Sequence, residues 1–120
     1  MLTQIENKNG IISYDSSLVE QLINDALAPF KGDYKLIKKE YAMETEGVSL
    51  FLELQLKFGT SIATFSSYVL NNIGRRIEEN FELPVKKVSM HISGIYSKKL
   101  MKRDIRFEYN NKSEITDNRD

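Results

Sequence analysis

The stretch "GVSLFLELQLKF", residues 47–58, limits the possible folds more than any other part of the chain. Val48, Leu50, Leu52, Leu54, Leu56 and Phe58 alternate strictly with Ser49, Phe51, Glu53, Gln55 and Lys57. A period of two is the side-chain period of an extended strand, so this reads as a central strand with one buried face. Such a face must be covered by another layer, while the polar alternates keep the second face from a fully apolar environment. Glu46-Gly47 just before it predicts a tight turn from a preceding strand, hence an antiparallel hairpin. That preceding stretch, Tyr34 to Met43, mixes Lys35, Lys38 and Lys39 with Tyr34, Leu36, Ile37 and Tyr41. The pattern suits an edge strand whose lysines discourage edge-to-edge pairing.

Two amphipathic stretches supply the covering layer. In "SSLVEQLINDALAPFKG", Leu18, Val19, Leu22, Ile23, Ala26 and Phe30 fall on one side of a helix at about 100° per residue. Asp15, Ser16 or Ser17 is placed to cap it, Ser17-x-x-Glu20 matches a capping box, and Pro29 and Gly32 end it. In "GTSIATFSSYVLNNIGRRIEENF", Ile62, Phe65, Val69, Leu70, Ile73, Ile77 and Phe81 form one face, and Asn71, Arg75, Glu78 and Glu79 project away from it. Thr60 or Ser61 is the expected cap. A short β-like run, Ile11 to Tyr14, precedes the first helix. "ELPVKKVSMHISGIY" alternates Val88, Met90 and Ile92 with Lys87, Ser89, His91 and Ser93, and reads as a last strand. The expected fold is α+β in the order β-α-β-β-α-β, a mixed sheet with two amphipathic helices on one face. Residues 9–96 make the domain and 97–120 a C-terminal extension, basic and then disordered. Within it "SKKLMKRDIRFEY" fits helix or strand, and "NNKSEITDNRD" lacks the apolar content to fold.

The chemistry the chain can carry is narrow. Cysteine is absent, which excludes disulfides, thiol catalysis and thiolate metal sites. Lys plus Arg number 17 and Asp plus Glu 17, so no whole-protein field draws the chain to nucleic acid or anionic lipid. No run of roughly 18 apolar residues is present to span a bilayer and the N-terminus has no apolar signal region, so direct membrane insertion is not expected and the chain reads as cytoplasmic. Gly59-Thr60-Ser61 stands where a phosphate loop would, but a Walker loop needs a second glycine and a Gly-Lys-Ser/Thr ending, so capping is the better reading. His91, the sole histidine, lacks the converging ligands of a metal site or the oriented acid of a nucleophile triad, and reads as an exposed polar-face residue. Glu78-Glu79 beside Arg75-Arg76 is explained by pairing within a helix. Gly74 lies inside a helical pattern, and no GXXG loop of the RNA-binding KH type occurs. The basic segment Lys98, Lys99, Lys102, Arg103 and Arg106 carries the alternative reading, a weak RNA-binding module. No catalytic, cofactor or metal site is expected. The candidate contact residues are Phe51, Gln55, Ser89 and His91 on the polar side of the strands, and Tyr68 and Arg75 on the outward side of the second helix.

Two blocks, "NGIISYDSSLVEQLINDAL" and "GVSLFLELQLKFGTSIATFSSYVLNNIGRRIEENFELPVKKVSMHISGI", resemble the alkaline-shock-protein, or envelope stress response, family of Gram-positive bacteria over about residues 9–95. The matching positions are Gly47, Val48, Phe58, Gly59, Ile62, Val69, Ile73, Ile77, Val85, Val88, Ile92 and Gly94. These are apolar or glycine, so they report core and turns. The resemblance implies a non-enzymatic cytoplasmic protein that forms homo-oligomers, works near the membrane through a membrane-anchored partner, and supports cell-envelope homeostasis.

Overall fold

The computed structural model describes residues 2–7, 10–81 and 83–109 of the 120. In chain order the elements are β1 (Leu2–Asn7), β2 (Gly10–Asp15), α1 (Ser16–Leu27), β3 (Tyr34–Glu44), β4 (Gly47–Lys57), α2 (Ile62–Asn80), β5 (Val85–Tyr96) and β6 (Leu100–Glu108), with a 3-10 turn at Ala28–Phe30. The chain is α+β, with two helices and a four-stranded mixed sheet in the order β3-β4-β5-β6. β3 is antiparallel to β4, β4 is parallel to β5 through the α2 crossover, and β5 is antiparallel to β6.

The element order departs from the sequence expectation in two places. The run before α1 does not enter this sheet; it is β2, and it pairs antiparallel with β1 in a separate two-stranded ribbon. The sheet is completed at the other end instead, because β5 is followed by β6 and is an inner strand rather than the last one. The stretch left open between helix and strand is therefore strand. An expected domain edge at Tyr96 falls inside the β5–β6 hairpin, where Tyr96 pairs with Leu100. The expectation of disorder for residues 110–120 lies outside the described residues.

Both apolar helix stripes and the leucine face of β4 enter one buried cluster. Val19, Leu22, Ile23, Ala26 and Leu27 of α1 join Phe65, Val69, Leu70, Ile73 and Ile77 of α2 against Leu50, Leu52, Leu54, Leu56, Val88, Met90 and Ile92. Each large aliphatic side chain so buried contributes about 1.5–3 kcal/mol over its exposed state. Phe58, read as the last apolar alternate of the strand, is instead 66% exposed. The strand stops at Lys57, and Gly59 takes φ +96° to turn the chain toward α2, a conformation that other residues adopt only with strain.

The caps and edges follow from local chemistry. Ser61 caps α2, its hydroxyl accepting from the Thr64 N–H at 3.2 Å, as one of the two hydroxyl residues expected there. The helix begins at Ser16, so Ser17 lies within it, and Glu20 turns its oxygens toward β3: Lys39 Nζ donates to Oε1, and Tyr41 Oη donates to Oε2 at 2.9 Å. The mixed pattern of β3 comes from a bulge at Ile37, where the register with β4 slips. Beyond it Lys39 and Tyr41 face the helices, while Lys38 and Glu40 face away.

Gly74 has a packing reason for sitting in mid-helix. The ring of Tyr109 lies against it so closely that a Cβ there would meet the ring carbons at 2.5–2.6 Å. Tyr109 is held at both ends, its N–H donating to Val88 O at 2.7 Å and its hydroxyl to Glu78 Oε1 at 3.2 Å. Burial there, with the Glu78 carboxylate adjacent, pushes the Tyr109 phenol above its usual range.

Candidate functional site

Alternation along the strands decides what the second sheet face presents. Since Leu50, Leu52, Leu54 and Leu56 point into the core, Ser49, Phe51, Glu53 and Gln55 point the other way and are half-buried. On β5 the same holds for Ser89 and His91 between Val88, Met90 and Ile92.

Register then sets these residues in rows across the sheet. Glu40, Phe51, Ser89 and Glu108 pair in sequence from β3 to β6, and the next row is Lys38, Glu53, His91 and Arg106. After bulges on both sides of β5, the third row is Lys35, Gln55, Gly94 and Lys102. Gly94 belongs to this face, because a Cβ there would lie 3.4 Å from Gln55 Cγ and 2.6 Å from Leu100 Cδ1. Beside that row Lys35 Nζ sits 4.4 Å from the centre of the Tyr96 ring, a cation over an aromatic face.

Phe51 is the largest apolar group in the rows. A shallow groove of about 370 Å³ runs along one side of it, lined by Glu40, Ala42, Ser49, Lys87 and Ser89. A second groove of about 430 Å³ opens toward β6 and is lined by Phe51, Lys87, Ser89, Arg106 and Glu108.

His91 is not the exposed residue expected from sequence, since its side chain is only 16% exposed, screened by neighbours from β6. Its Nε2 lies 2.9 Å from Asp104 Oδ1. Nε2 nevertheless has no hydrogen-bond partner among the described residues. The contact is therefore an ion pair only when the ring is protonated. Asp104 also accepts from Arg106 Nε at 2.9 Å. Ser93 Oγ, in the β5 bulge, is a second buried polar atom without a hydrogen-bond partner among the described residues.

The structure thus brings Phe51, Gln55, Ser89 and His91 together and separates them from Tyr68 and Arg75. Those two line a groove of about 410 Å³ on α2 with Thr64, Ser67, Asn71 and Asn72. Tyr68 is 42% exposed there, and its ring meets Phe30 edge-on at 5.5 Å. The basic segment is divided as well. Lys98 and Lys99 form the β5–β6 turn, Lys102 and Arg106 stand in the rows, and Arg103 donates to Lys102 O at 2.8 Å.

Glu40, Lys38 and Lys35 from one edge, and Lys102, Asp104, Arg106 and Glu108 from the other, were not read from sequence as parts of the face. The bulges in β3 and at Ile92/Gly94 break the alternation that would have shown them. The alternation of Ile105 and Phe107 with Arg106 and Glu108 was the available signal. Among the described residues no group of His, Asp and Glu is arranged to hold a metal ion, and no helix is long and apolar enough to cross a membrane. In comparisons with protein-family models, curated proteins and solved structures, none matches the chain.

Proposed function

We propose that the chain is a non-enzymatic interaction domain that works by self-association and by docking to a membrane-anchored protein, in the maintenance of the cell envelope. The observation that carries the interaction reading is the sheet face bearing Phe51: a half-buried aromatic between two shallow grooves, ringed by charges of both signs. A mixed polar surface around an aromatic anchor is the composition of a non-obligate interface. The envelope role and the anchored partner rest on the resemblance of residues 9–95 to the alkaline-shock-protein family.

Sedimentation of the wild type and of Phe51→Lys over a range from about 1 to about 500 µM tests this reading. The variant keeps its far-UV circular dichroism, because residue 51 faces away from the core, and its association weakens by on the order of 1–2 kcal/mol, or roughly 5–30-fold in Kd. An unfolded variant would show the strand faces to be reversed. A folded variant that associates like the wild type would move the contact to another surface, such as the α2 groove at Tyr68 and Arg75.

A further inference from the structure

The charges on the Phe51 face follow the rows. At its ends the Phe51 row carries Glu40 and Glu108, while the Gln55 row carries Lys35 and Lys102. The row between them ends in Lys38 and Arg106, with Glu53 and His91 inside. One end of the face is therefore acidic at both sheet edges and the other end basic at both edges.

We propose, building on the interaction reading above, that the occupant of this face is a second copy of the same chain, stacked sheet on sheet with the two-fold axis crossing the strands along the Lys38–Glu53–His91–Arg106 row. A two-fold axis lying between facing sheets can run along the strands or across them. An axis along the strands, between β4 and β5, exchanges the β3 and β6 edges. Glu40 then meets Glu108, Lys38 meets Arg106, and Lys35 meets Lys102, like charges in every case. An axis across the strands exchanges the acidic and basic ends and keeps the edges. Glu40 then meets Lys35 of the copy, Glu108 meets Lys102, and symmetry repeats both pairs. This arrangement makes the strands of the two copies antiparallel, which sheet-on-sheet packing in aligned mode accepts. Its unfavourable contacts lie on the axis, where Lys38, Glu53 and Arg106 each meet their own copy, three like-charge contacts against the four opposite-charge pairs at the ends.

The dimensions suit a real but modest interface. β4 has 11 residues, about 36 Å at roughly 3.3 Å per residue, and strands about 4.8 Å apart make the face roughly 19 Å wide. That is on the order of 700 Å² per copy, close to the about 800 Å² per partner of a standard specific interface.

The absence of cysteine makes a direct geometric test available. Single-cysteine chains Lys35→Cys, Glu40→Cys and Glu108→Cys are mixed in pairs and treated with a bismaleimide of about 10 Å span, matching the spacing of packed sheets. Glu40→Cys with Lys35→Cys is expected to cross-link at least fivefold better than Glu40→Cys with itself or with Glu108→Cys. Glu53→Gln is expected to tighten self-association severalfold, since it removes the innermost of the like-charge contacts on the axis. Preferential cross-linking of Glu40→Cys to Glu108→Cys would overturn the arrangement in favour of an axis along the strands. Dimers by sedimentation with no cross-link among these positions would remove the face as the interface. A chain that stays monomeric at about 500 µM would overturn self-association itself, and with it that part of the interaction reading.

Discussion

Replacing Gly74 with alanine probes the contact that joins the end of the sheet to α2. In an open helix the change stabilises by about 1 kcal/mol, because glycine loses more backbone freedom on folding. Here the new methyl would enter the ring of Tyr109, with Cδ2, Cε2 and Cγ at 2.5–2.6 Å. Cγ lies on the axis of ring rotation, so turning the ring about Cβ–Cγ does not clear the clash, and swinging the side chain about Cα–Cβ gives up the hydroxyl's bond to Glu78. Overpacking of this kind costs about 1–3 kcal/mol. The net expectation is a loss of about 1 kcal/mol. In a Tyr109→Ala background the clash is gone, and Gly74→Ala should stabilise by about 1 kcal/mol relative to that background. Urea unfolding followed by circular dichroism on the four chains reads this change of sign as a coupling of about 2 kcal/mol. Stabilisation by Gly74→Ala in the wild-type background would refute the argument, since it would place the ring elsewhere.

Other consequences follow from the core, the edge and the basic segment. Leu54→Ala empties a fully buried position and should cost about 2–5 kcal/mol in the same denaturation assay. The hydrogen bond from Lys39, aided by that from Tyr41 and opposed by burial, holds the Glu20 carboxyl below its ordinary range. A folded-state pKa lower than the unfolded one gives stability that is present above the unfolded value and lost as pH falls through the folded one. Denaturation at stepped pH should therefore show a loss in the acid carboxylate range that is smaller in Glu20→Gln, and an identical acid profile for the two chains would sink the assignment. On an RNA column at physiological salt the chain should pass without retention. Salt-sensitive retention that disappears in a Lys98→Gln, Lys99→Gln, Lys102→Gln variant would turn the function to nucleic acid, because phosphate contacts release counterions.

The residues that were legible in advance are those whose pattern is local. The alternation from Val48 to Leu56 specified a strand and its buried side, and the spacing of Phe65, Val69, Ile73 and Ile77 specified a helix and its stripe, because both periods are set by backbone geometry within a few residues. Ser61 as a cap and the Glu46-Gly47 hairpin turn were readable for the same reason. The placing of Phe51, Ser89 and His91 on one surface needed only the added condition that β4 and β5 be neighbours, which the α2 crossover satisfies.

Where a strand pairs is a different kind of fact, since the pairing energy lies in a partner distant in sequence and the strand's own residues permit several choices. Ile11 to Tyr14 was correctly strand-like, yet its partner is β1 and not the main sheet. Ser97 to Tyr109 was ambiguous because a bulge opposite Ser93 breaks its period, and only pairing with β5 makes it β6. The sequence by itself determined which side chains of the two helices and of β4 leave water, with Phe58 beyond the strand end as the exception. The tertiary structure alone decided that Glu40 and Glu108 share one row and Lys35 and Lys102 another, because a row across a sheet exists only once four separate segments have been brought into register.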